Sequence, residues 1–225
     1  MCGRFTLKAP LATLQKAFPQ FSFAQASATA VPRFNVAPTQ QVLGVANDSP
    51  AEAGFFRWGL IPSWAQDAKI ASRLINARDD GVATKPAFRS AFKRRHCLIF
   101  ADGFYEWETV GPKKTKLPLY FQVRGGAPFA FAGRWEVWTP PEGEPVRSCT
   151  LITTSANELL RPYHDRMPAI LLGAELESWL NSAGQPPEEA LRLIRPLPSE
   201  ELTLTRVSTR VNSVAHEGPE LLTPG

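Results

Sequence analysis

Hydrophobic and polar positions alternate in several short segments through the middle of the chain, and this period of two predicts β-strands. Turn-forming residues separate some of these segments: residues 47–50 predict one turn, and Gly125 with Gly126 predicts a hairpin turn. The predicted strands lie within residues 42–47, 53–62, 97–108, 118–138, 149–154 and 202–208.

Helical spacing is found mainly toward the two ends of the chain. Leu11, Leu14, Ala17 and Phe18 recur at the spacing of a short amphipathic helix, which Pro19 ends. Residues 25–38 predict a loop, and residues 61–100 are predicted to be mostly irregular. Further helices are predicted at 86–94, 155–160, 174–181 and 188–194.

This order of elements favours an α+β fold. Strands dominate the middle, helices flank them, and the 21 prolines predict long ordered loops. We expect a mostly antiparallel, barrel-like β-sheet core with short flanking helices. A chain of 225 residues is long enough for one large core, so we expect a single domain over residues 2–225.

Composition narrows the class of protein. The hydrophobic fraction of 44% and the six tryptophans predict a packed globule, and no apolar run approaches the ~18 residues of a membrane span. Because the N-terminal residues lack the features of a secretory signal, we expect a cytoplasmic protein. Cys97 and Cys149 lie in apolar segments, which predicts buried thiols. Without paired Cys/His spacing we expect no metal.

The charge is unevenly distributed along the chain. Residues 1–130 hold 17 Lys and Arg against 8 Asp and Glu, whereas residues 131–225 hold 8 against 13. The N-terminal part therefore carries a net charge of +9 and the remainder −5, which indicates a polyanionic partner. The lysine-rich stretch at 113–116 is predicted to form the tip of a hairpin, where a solvated basic face is an equally good interpretation.

The second residue, Cys2, carries the most distinctive chemistry. Initiator methionine is normally removed before a small residue, so we expect Cys2 to become the N-terminus. Its α-amine, with a pKa of about 7.7–8.0, and its thiol, with a pKa of about 8.5, would both be partly nucleophilic at neutral pH. An amine condenses with an aldehyde to a Schiff base, which the thiol can close to a thiazolidine. An N-terminal nucleophile also suits amide hydrolysis, and an accidental cysteine is the third possibility.

Four other segments hold polar residues with no evident structural purpose: 33–38, 74–78, 101–107 and 164–168. Each polar residue also has a structural interpretation. Asn76 can form an Asx turn, Glu106 can lie on the polar face of a strand, and His164 can be a loop histidine with its hydrogen bonds satisfied.

Taken together with MCGRF, these segments resemble the SRAP (SOS response-associated peptidase) family, which includes abasic-site processing proteins. The matching stretches are MCGRF, RFNVAP, FFRWGLIPSWA, INAR, FRSAF, RHCLIFADGFYEW, AGRWE, TLITTSAN, HDRMPAIL and VSTRVNSV. They run from residue 2 to about 172 and then from 207 to 214, so the resemblance covers nearly the whole chain.

The resemblance implies a protein of the DNA damage response that binds single-stranded DNA and crosslinks covalently to abasic sites. Cys2 is then the nucleophile, Asn76 contacts the sugar-phosphate, and Glu106 and His164 handle protons. It further implies a monomer without cofactor or membrane partner, cytoplasmic and nucleoid-associated when bound to DNA. The DNA contacts that we expect are Arg4, Asn35, Pro38, Trp64, Arg78, Arg89, Thr153 and Arg166.

Two alternatives from other classes stay open. One is a cysteine peptidase that uses Cys2 as its nucleophile and releases its own leader. The other is a noncatalytic nucleic-acid binder. One departure from the family pattern is Asp80, which stands where many relatives have glutamate, so the reach of this shorter acid toward Arg78 is in doubt.

Overall fold

A computed structural model gives the fold of residues 2–26 and 32–224. Met1, whose removal is expected, residues 27–31 of the predicted loop, and Gly225 lie outside the described residues. The helices are α1 (Leu11–Ala17), α2 (Arg89–Arg94), α3 (Glu175–Asn181) and α4 (Pro187–Leu191). The strands are β1 (Phe5–Leu7), β2 (Arg33–Val36), β3 (Gln41–Ala46), β4 (Ala53–Trp58), β5 (Asn76–Arg78), β6 (His96–Ala101), β7 (Gly103–Val110), β8 (Thr115–Val123), β9 (Phe129–Trp138), β10 (Val146–Ser155), β11 (Arg166–Pro168), β12 (Ile170–Leu171) and β13 (Leu202–Arg206).

Five strands close into a barrel. β10 pairs with β4, β4 with β3, β3 with β6, β6 with β9, and β9 returns to β10. The β10–β4 pairing is parallel and the other four are antiparallel. Closure removes exposed edges from this ring. The predicted α+β class with a mostly antiparallel, barrel-like sheet is confirmed.

A second, antiparallel sheet has the strand order β13-β8-β7-β1-β2, and the chain enters it from the barrel at Asp102. The buried carboxylate of Asp102 accepts hydrogen bonds from the backbone N–H groups of Lys8 and Ala9, both at 2.7 Å. A Cβ at the next residue, Gly103, would lie 2.1 Å from the Tyr120 hydroxyl. This crossing therefore requires glycine, and it places β7 against β1.

Alternation along the barrel strands divides the apolar side chains between two clusters. Leu98 and Phe100 pack with Trp179 of α3 in the cluster that the helices cover. Cys97 and Cys149 belong to the other cluster, between the barrel and the second sheet. Both thiols are fully buried, as predicted. Burial of each large apolar side chain stabilises the fold by about 1.5–3 kcal/mol.

The helix predicted at residues 155–160 is wrong, because this segment forms turns. Asn157 Oδ1 accepts a hydrogen bond from the Leu160 backbone N–H at 3.0 Å, which is a local turn contact. Pro162 lies two residues after Leu160 and has no N–H to donate, so a regular helix cannot continue through it.

The hairpin predicted at Gly125 and Gly126 is also wrong, although the turn itself forms. The two glycines have φ of 84° and 70°, a region that glycine enters without steric cost. The strands on either side, β8 and β9, belong to different sheets, because β9 pairs with β6, β10 and β12. The turn therefore carries the chain from the second sheet back to the barrel.

Five short strands were not predicted. β1 precedes the first predicted element, β2 lies in the predicted loop at 25–38, and β5 lies in the segment predicted to be irregular. β11 and β12 lie between the helices predicted at 155–160 and 174–181. A period of two cannot be recognised in two to four residues. The other predicted helices are confirmed as α1 to α4. Among the described residues, no helix has both the length and the apolar character needed to cross a membrane.

Candidate functional site

Pairing between β1 and β7 carries the N-terminal residues toward Glu106. Phe5 lies opposite Phe104 in this antiparallel pair, and the Tyr105 N–H donates to the Arg4 carbonyl at 3.0 Å. Continued in the same register, residue 3 lies opposite Glu106. Residues 2–4 therefore run beside this carboxyl group.

Cys2 is fully buried at the end of this segment. Its Sγ donates to the Arg4 carbonyl at 3.5 Å. Burial, together with the charge of Glu106, raises the pKa of the Cys2 thiol far above its usual value, so the thiol is protonated at neutral pH. Asn76 Nδ2 donates to the Cys2 carbonyl at 2.8 Å, which connects β5 of the barrel to the N-terminal segment.

The carbonyl oxygen of the Asn76 side chain is buried and has no hydrogen-bond partner among the described residues. A buried amide oxygen without a partner costs free energy on the order of 1–3 kcal/mol. Asn76 therefore brings an unused acceptor to the vicinity of Cys2.

Glu106 is the titrating carboxyl group of this region. Its side chain is on β7 and only 5% of the residue is exposed. Burial raises the pKa of Glu106 to about 7, although the positive charge of the chain's amino terminus and that of Lys116 act in the opposite direction. The group consequently exchanges a proton near neutral pH.

His164 lies in the loop between β10 and β11, with 27% of its side chain exposed. Its Nδ1 accepts a hydrogen bond from the Arg166 backbone N–H at 2.9 Å. Asp165 Oδ1 lies equally close to Nδ1, a contact that is attractive only when Nδ1 carries a proton. Burial lowers the pKa of His164, so the ring is neutral near pH 7 and carries its proton on Nε2.

Arg166 holds the loop that carries His164. The Arg166 side chain is buried, and its Nη2 donates to Asp79 Oδ1 at 2.5 Å and to the carbonyl of Thr153. Thr153 is itself buried on β10. The guanidinium is thus paired inside the protein, and the contacts of Arg166 and Thr153 with DNA remain predictions.

Arg4 and Asn35 bind the C-terminal segment. Arg4 Nη1 donates to Asn35 Oδ1 at 2.6 Å and to the Val211 carbonyl at 2.8 Å. Asn35 is fully buried, and its Nδ2 donates to the carbonyls of Ser213 and His216 at 2.9 and 2.8 Å. Both side chains therefore fix a wall of the site, and their contacts with DNA also remain predictions.

An open cleft of about 710 Å³ lies over these groups. It brings together three of the predicted site residues, Arg4, Glu106 and His164. None of the other lining residues was predicted as a site residue. Trp107 and Asn212 lie in quoted motifs, and Trp107 Nε1 donates to Asn212 Oδ1 at 2.7 Å. Lys116 lies in the lysine-rich stretch at 113–116, and the last two lining residues are Thr109 and Tyr163.

Seven of the eight predicted DNA contacts lie outside the lining of this cleft, and Trp64, Arg89 and Pro38 are three of them. Trp64 is 61% exposed and borders a separate hollow of about 270 Å³. Arg89 is exposed at the start of α2, and Pro38 is half-buried in the turn after β2. An exposed indole and an exposed guanidinium suit base stacking and phosphate binding, respectively, so these contacts stay predictions.

Arg78 is exposed and paired with Asp80, outside the cleft lining. Its Nη2 and Nε donate to the two carboxylate oxygens at 2.8 and 3.2 Å. The shorter side chain of Asp80 therefore does reach Arg78, which answers the doubt raised by the sequence.

The arrangement combines a nucleophile with proton-transfer groups. A carboxyl group that titrates near pH 7 and a neutral imidazole line one cleft, and the protonated thiol of Cys2 is buried beside Glu106, outside the cleft lining. This set of groups is suited to addition chemistry at a carbonyl carbon. Within residues 2–26 and 32–224, no group of three or more His, Cys, Asp or Glu is placed to hold a metal ion.

The family model described as "SOS response associated peptidase (SRAP)" matches residues 1–214. The chain is 41% identical over 225 residues to "Abasic site processing protein YoqW" of Bacillus subtilis (strain 168), covering 99% of each chain. It is 38% identical over 190 residues to "Abasic site processing protein HMCES" of Gallus gallus, covering 75% of this chain and 56% of that protein.

Among solved structures, a crystal structure of a protein from Bacteroides thetaiotaomicron superposes with a TM-score of 0.87 at 25% identity, covering 100% of both chains. The fold and nearly the full length of the sequence therefore agree with the resemblance found in the motifs. The chain belongs to the SOS response associated peptidase (SRAP) family.

Proposed function

We propose that this protein, once Met1 is removed, captures abasic sites in single-stranded DNA through a thiazolidine formed at Cys2. The observation that carries the proposal is the β1–β7 register, which sets Cys2 beside Glu106 at a cleft that His164 also lines. The names of the relatives, which describe abasic site processing, support the same substrate.

The chemistry balances without a cofactor. An abasic deoxyribose opens to an aldehyde, and the α-amine of Cys2 adds to that carbon to give a carbinolamine. Loss of water gives the imine. The thiol then adds to the imine carbon while its proton passes to the nitrogen, so the product is the sum of protein and DNA minus one water. Because the thiol is buried and protonated, the amine reacts first and the thiol closes the ring.

Glu106 and His164 divide the proton transfers. Glu106, with its pKa near 7, takes a proton from the attacking amine and returns it to the departing hydroxyl. Neutral His164 offers its Nε2–H to the sugar oxygen and assists ring opening. Asn76 orients the N-terminal residue through the Cys2 carbonyl, and its unused amide oxygen accepts a hydrogen bond from the bound sugar or the amine.

DNA binding combines phosphate contacts with base stacking. Arg78 and Arg89 contact phosphates, and Trp64 stacks on an unpaired base, which gives binding without sequence preference. The protein acts as a monomer in the response to DNA damage.

The proposal is tested by mixing purified protein with an oligonucleotide that contains one abasic site and separating the products on a denaturing gel. We expect a slower covalent band with the single-stranded oligonucleotide, weaker capture when the site is inside an intact duplex, and no band without the abasic site. Cleavage of a peptide substrate with no DNA band would instead support the peptidase alternative and contradict the proposal.

Replacing His164 with glutamine should slow capture by about 10²-fold, the lower part of the range for general acid–base groups, because this partly exposed side chain can be replaced in part by water. Single-turnover crosslinking between pH 5 and 9 measures the effect. The control is the affinity of the variant for single-stranded DNA without an abasic site, which should be unchanged. A variant that folds less stably yet crosslinks at the normal rate would show that His164 only fixes its loop.

A further inference from the structure

The β7–β8 hairpin ends in a cluster of lysines. Residues 111–116 at its tip are all exposed, and they include Lys113, Lys114 and Lys116. Gly111 and Lys114 have φ of 66° and 51°, which gives the tip a defined turn. The hairpin therefore presents three ammonium groups to solvent at one point of the surface.

This hairpin tip is continuous with the cleft. Thr109 and Lys116, which face each other across the two strands, both line the cleft and are joined by a hydrogen bond of 2.6 Å from Nζ to Oγ1. Asn212 Nδ2 donates to the Lys116 carbonyl at 3.3 Å, so the C-terminal segment supports the hairpin here. A DNA strand that leaves the cleft along this hairpin reaches these lysines next.

The charge of the hairpin tip is not neutralised by its nearest acidic neighbour along the hairpin. That residue, Glu108, is paired with Arg206 at 2.5 Å. Lys113 and Lys114 lie beyond this pair, in a part of the chain with an excess of basic residues. Lysine ammonium groups near the path of a nucleic acid contribute through phosphate neutralisation and counterion release.

We propose that Lys113 and Lys114 bind phosphates on one flank of the abasic site, an inference that rests on the proposed function. A strand rises about 3.3 Å per residue, so the four residue-to-residue steps from Glu106 to Val110, the last residue of β7, span roughly 13 Å. A stacked DNA strand advances about 3.4 Å per nucleotide, which places these phosphates roughly four nucleotides from the captured sugar. The hairpin thus gives the protein a preference for a long flank on one side.

The test uses single-stranded oligonucleotides that carry an unreactive abasic analogue near the 5′ end, near the 3′ end or in the middle. Affinity is measured as a function of salt for the wild-type protein and the K113A/K114A double variant. The slope of log K against log salt is negative, and each lost phosphate contact reduces its magnitude by about 0.7 on a single strand. For the double variant we therefore expect the magnitude of the slope to decrease by roughly 1.4. The decrease should occur with the central site and with one terminal site, but not with the other.

The matched control is the K16A/R192A variant, which loses two exposed cations, one from α1 and one at the C-terminal end of α4. It should keep the wild-type slope and the wild-type rate of capture. Equal slopes for K113A/K114A and wild type, equal losses in the two double variants, or equal losses on both flanks would overturn the inference. If the DNA affinity of the wild-type protein depended neither on salt nor on the abasic analogue, the proposed function would be overturned instead. The two failures are therefore distinguishable.

Discussion

Replacing Cys2 with serine is expected to abolish the adduct that survives heating in detergent. Serine keeps the α-amine after removal of Met1, so the imine still forms, but a hydroxyl does not close the stable sulfur-containing ring. With borohydride present the imine is reduced to a stable amine and a band returns. The two gels, with and without reductant, therefore separate the contribution of the thiol from that of the amine.

The control for this experiment is Cys149→Ala, which removes one of the fully buried core thiols. This variant should crosslink as the wild type does without reductant, because Cys149 belongs to the packed cluster and its burial raises the pKa of the thiol well above the usual range. An undiminished, heat-stable adduct in Cys2→Ser would contradict the assignment of Cys2.

Replacing Glu106 with glutamine is expected to slow capture by about 10²–10⁴-fold while leaving DNA affinity nearly unchanged. The amide keeps the size of the side chain but cannot take the proton of the attacking amine. In the wild type, burial raises the pKa of Glu106 to about 7, and the carboxylate is the active form. The wild-type rate should therefore rise with pH through about 7, and this inflection should be missing from the variant.

A second rise, due to the α-amine with its ordinary pKa of about 7.7–8.0, should remain in both proteins. Glu108→Gln is the matched control, because Glu108 lies two residues along the same strand and pairs with Arg206 outside the chemistry. A wild-type rate for Glu106→Gln, or the same loss in both variants, would remove Glu106 from the mechanism.

Much of the fold could be predicted from the sequence, because the longer strands and the amphipathic helices have recognisable periods. The arrangement of the strands into sheets could not. Gly125 and Gly126 form a turn of the kind that joins hairpin strands, yet tertiary pairing sends β8 and β9 to different sheets. At Asp102 the chain likewise passes from one sheet to the other. The Asp102 carboxylate accepts hydrogen bonds there from backbone N–H groups that lie nearly a hundred residues earlier in the sequence.

The sequence predicted which residues form the candidate site, but it did not predict their burial or their protonation states. The motifs indicated Cys2, Glu106 and His164, but burial of the carboxyl group and the tautomer of the imidazole depend on neighbours that a linear sequence does not identify. Asn35 illustrates the limit: its residue type suits contact with DNA, whereas the fold buries it against the C-terminal segment. Asn212, which completes the cleft, lies in the last quoted motif without any feature that sets it apart.

The central claim, that the amine and thiol of an N-terminal Cys2 form one ring with the abasic sugar, is tested most directly by intact mass measurement of the crosslinked protein. Two forms are compared, one that begins at Cys2 and one with a single extra residue before it that is not removed. The form that begins at Cys2 should give a product equal to protein plus DNA minus one water, and the extended form should give none. An undiminished adduct in the extended form would contradict the claim.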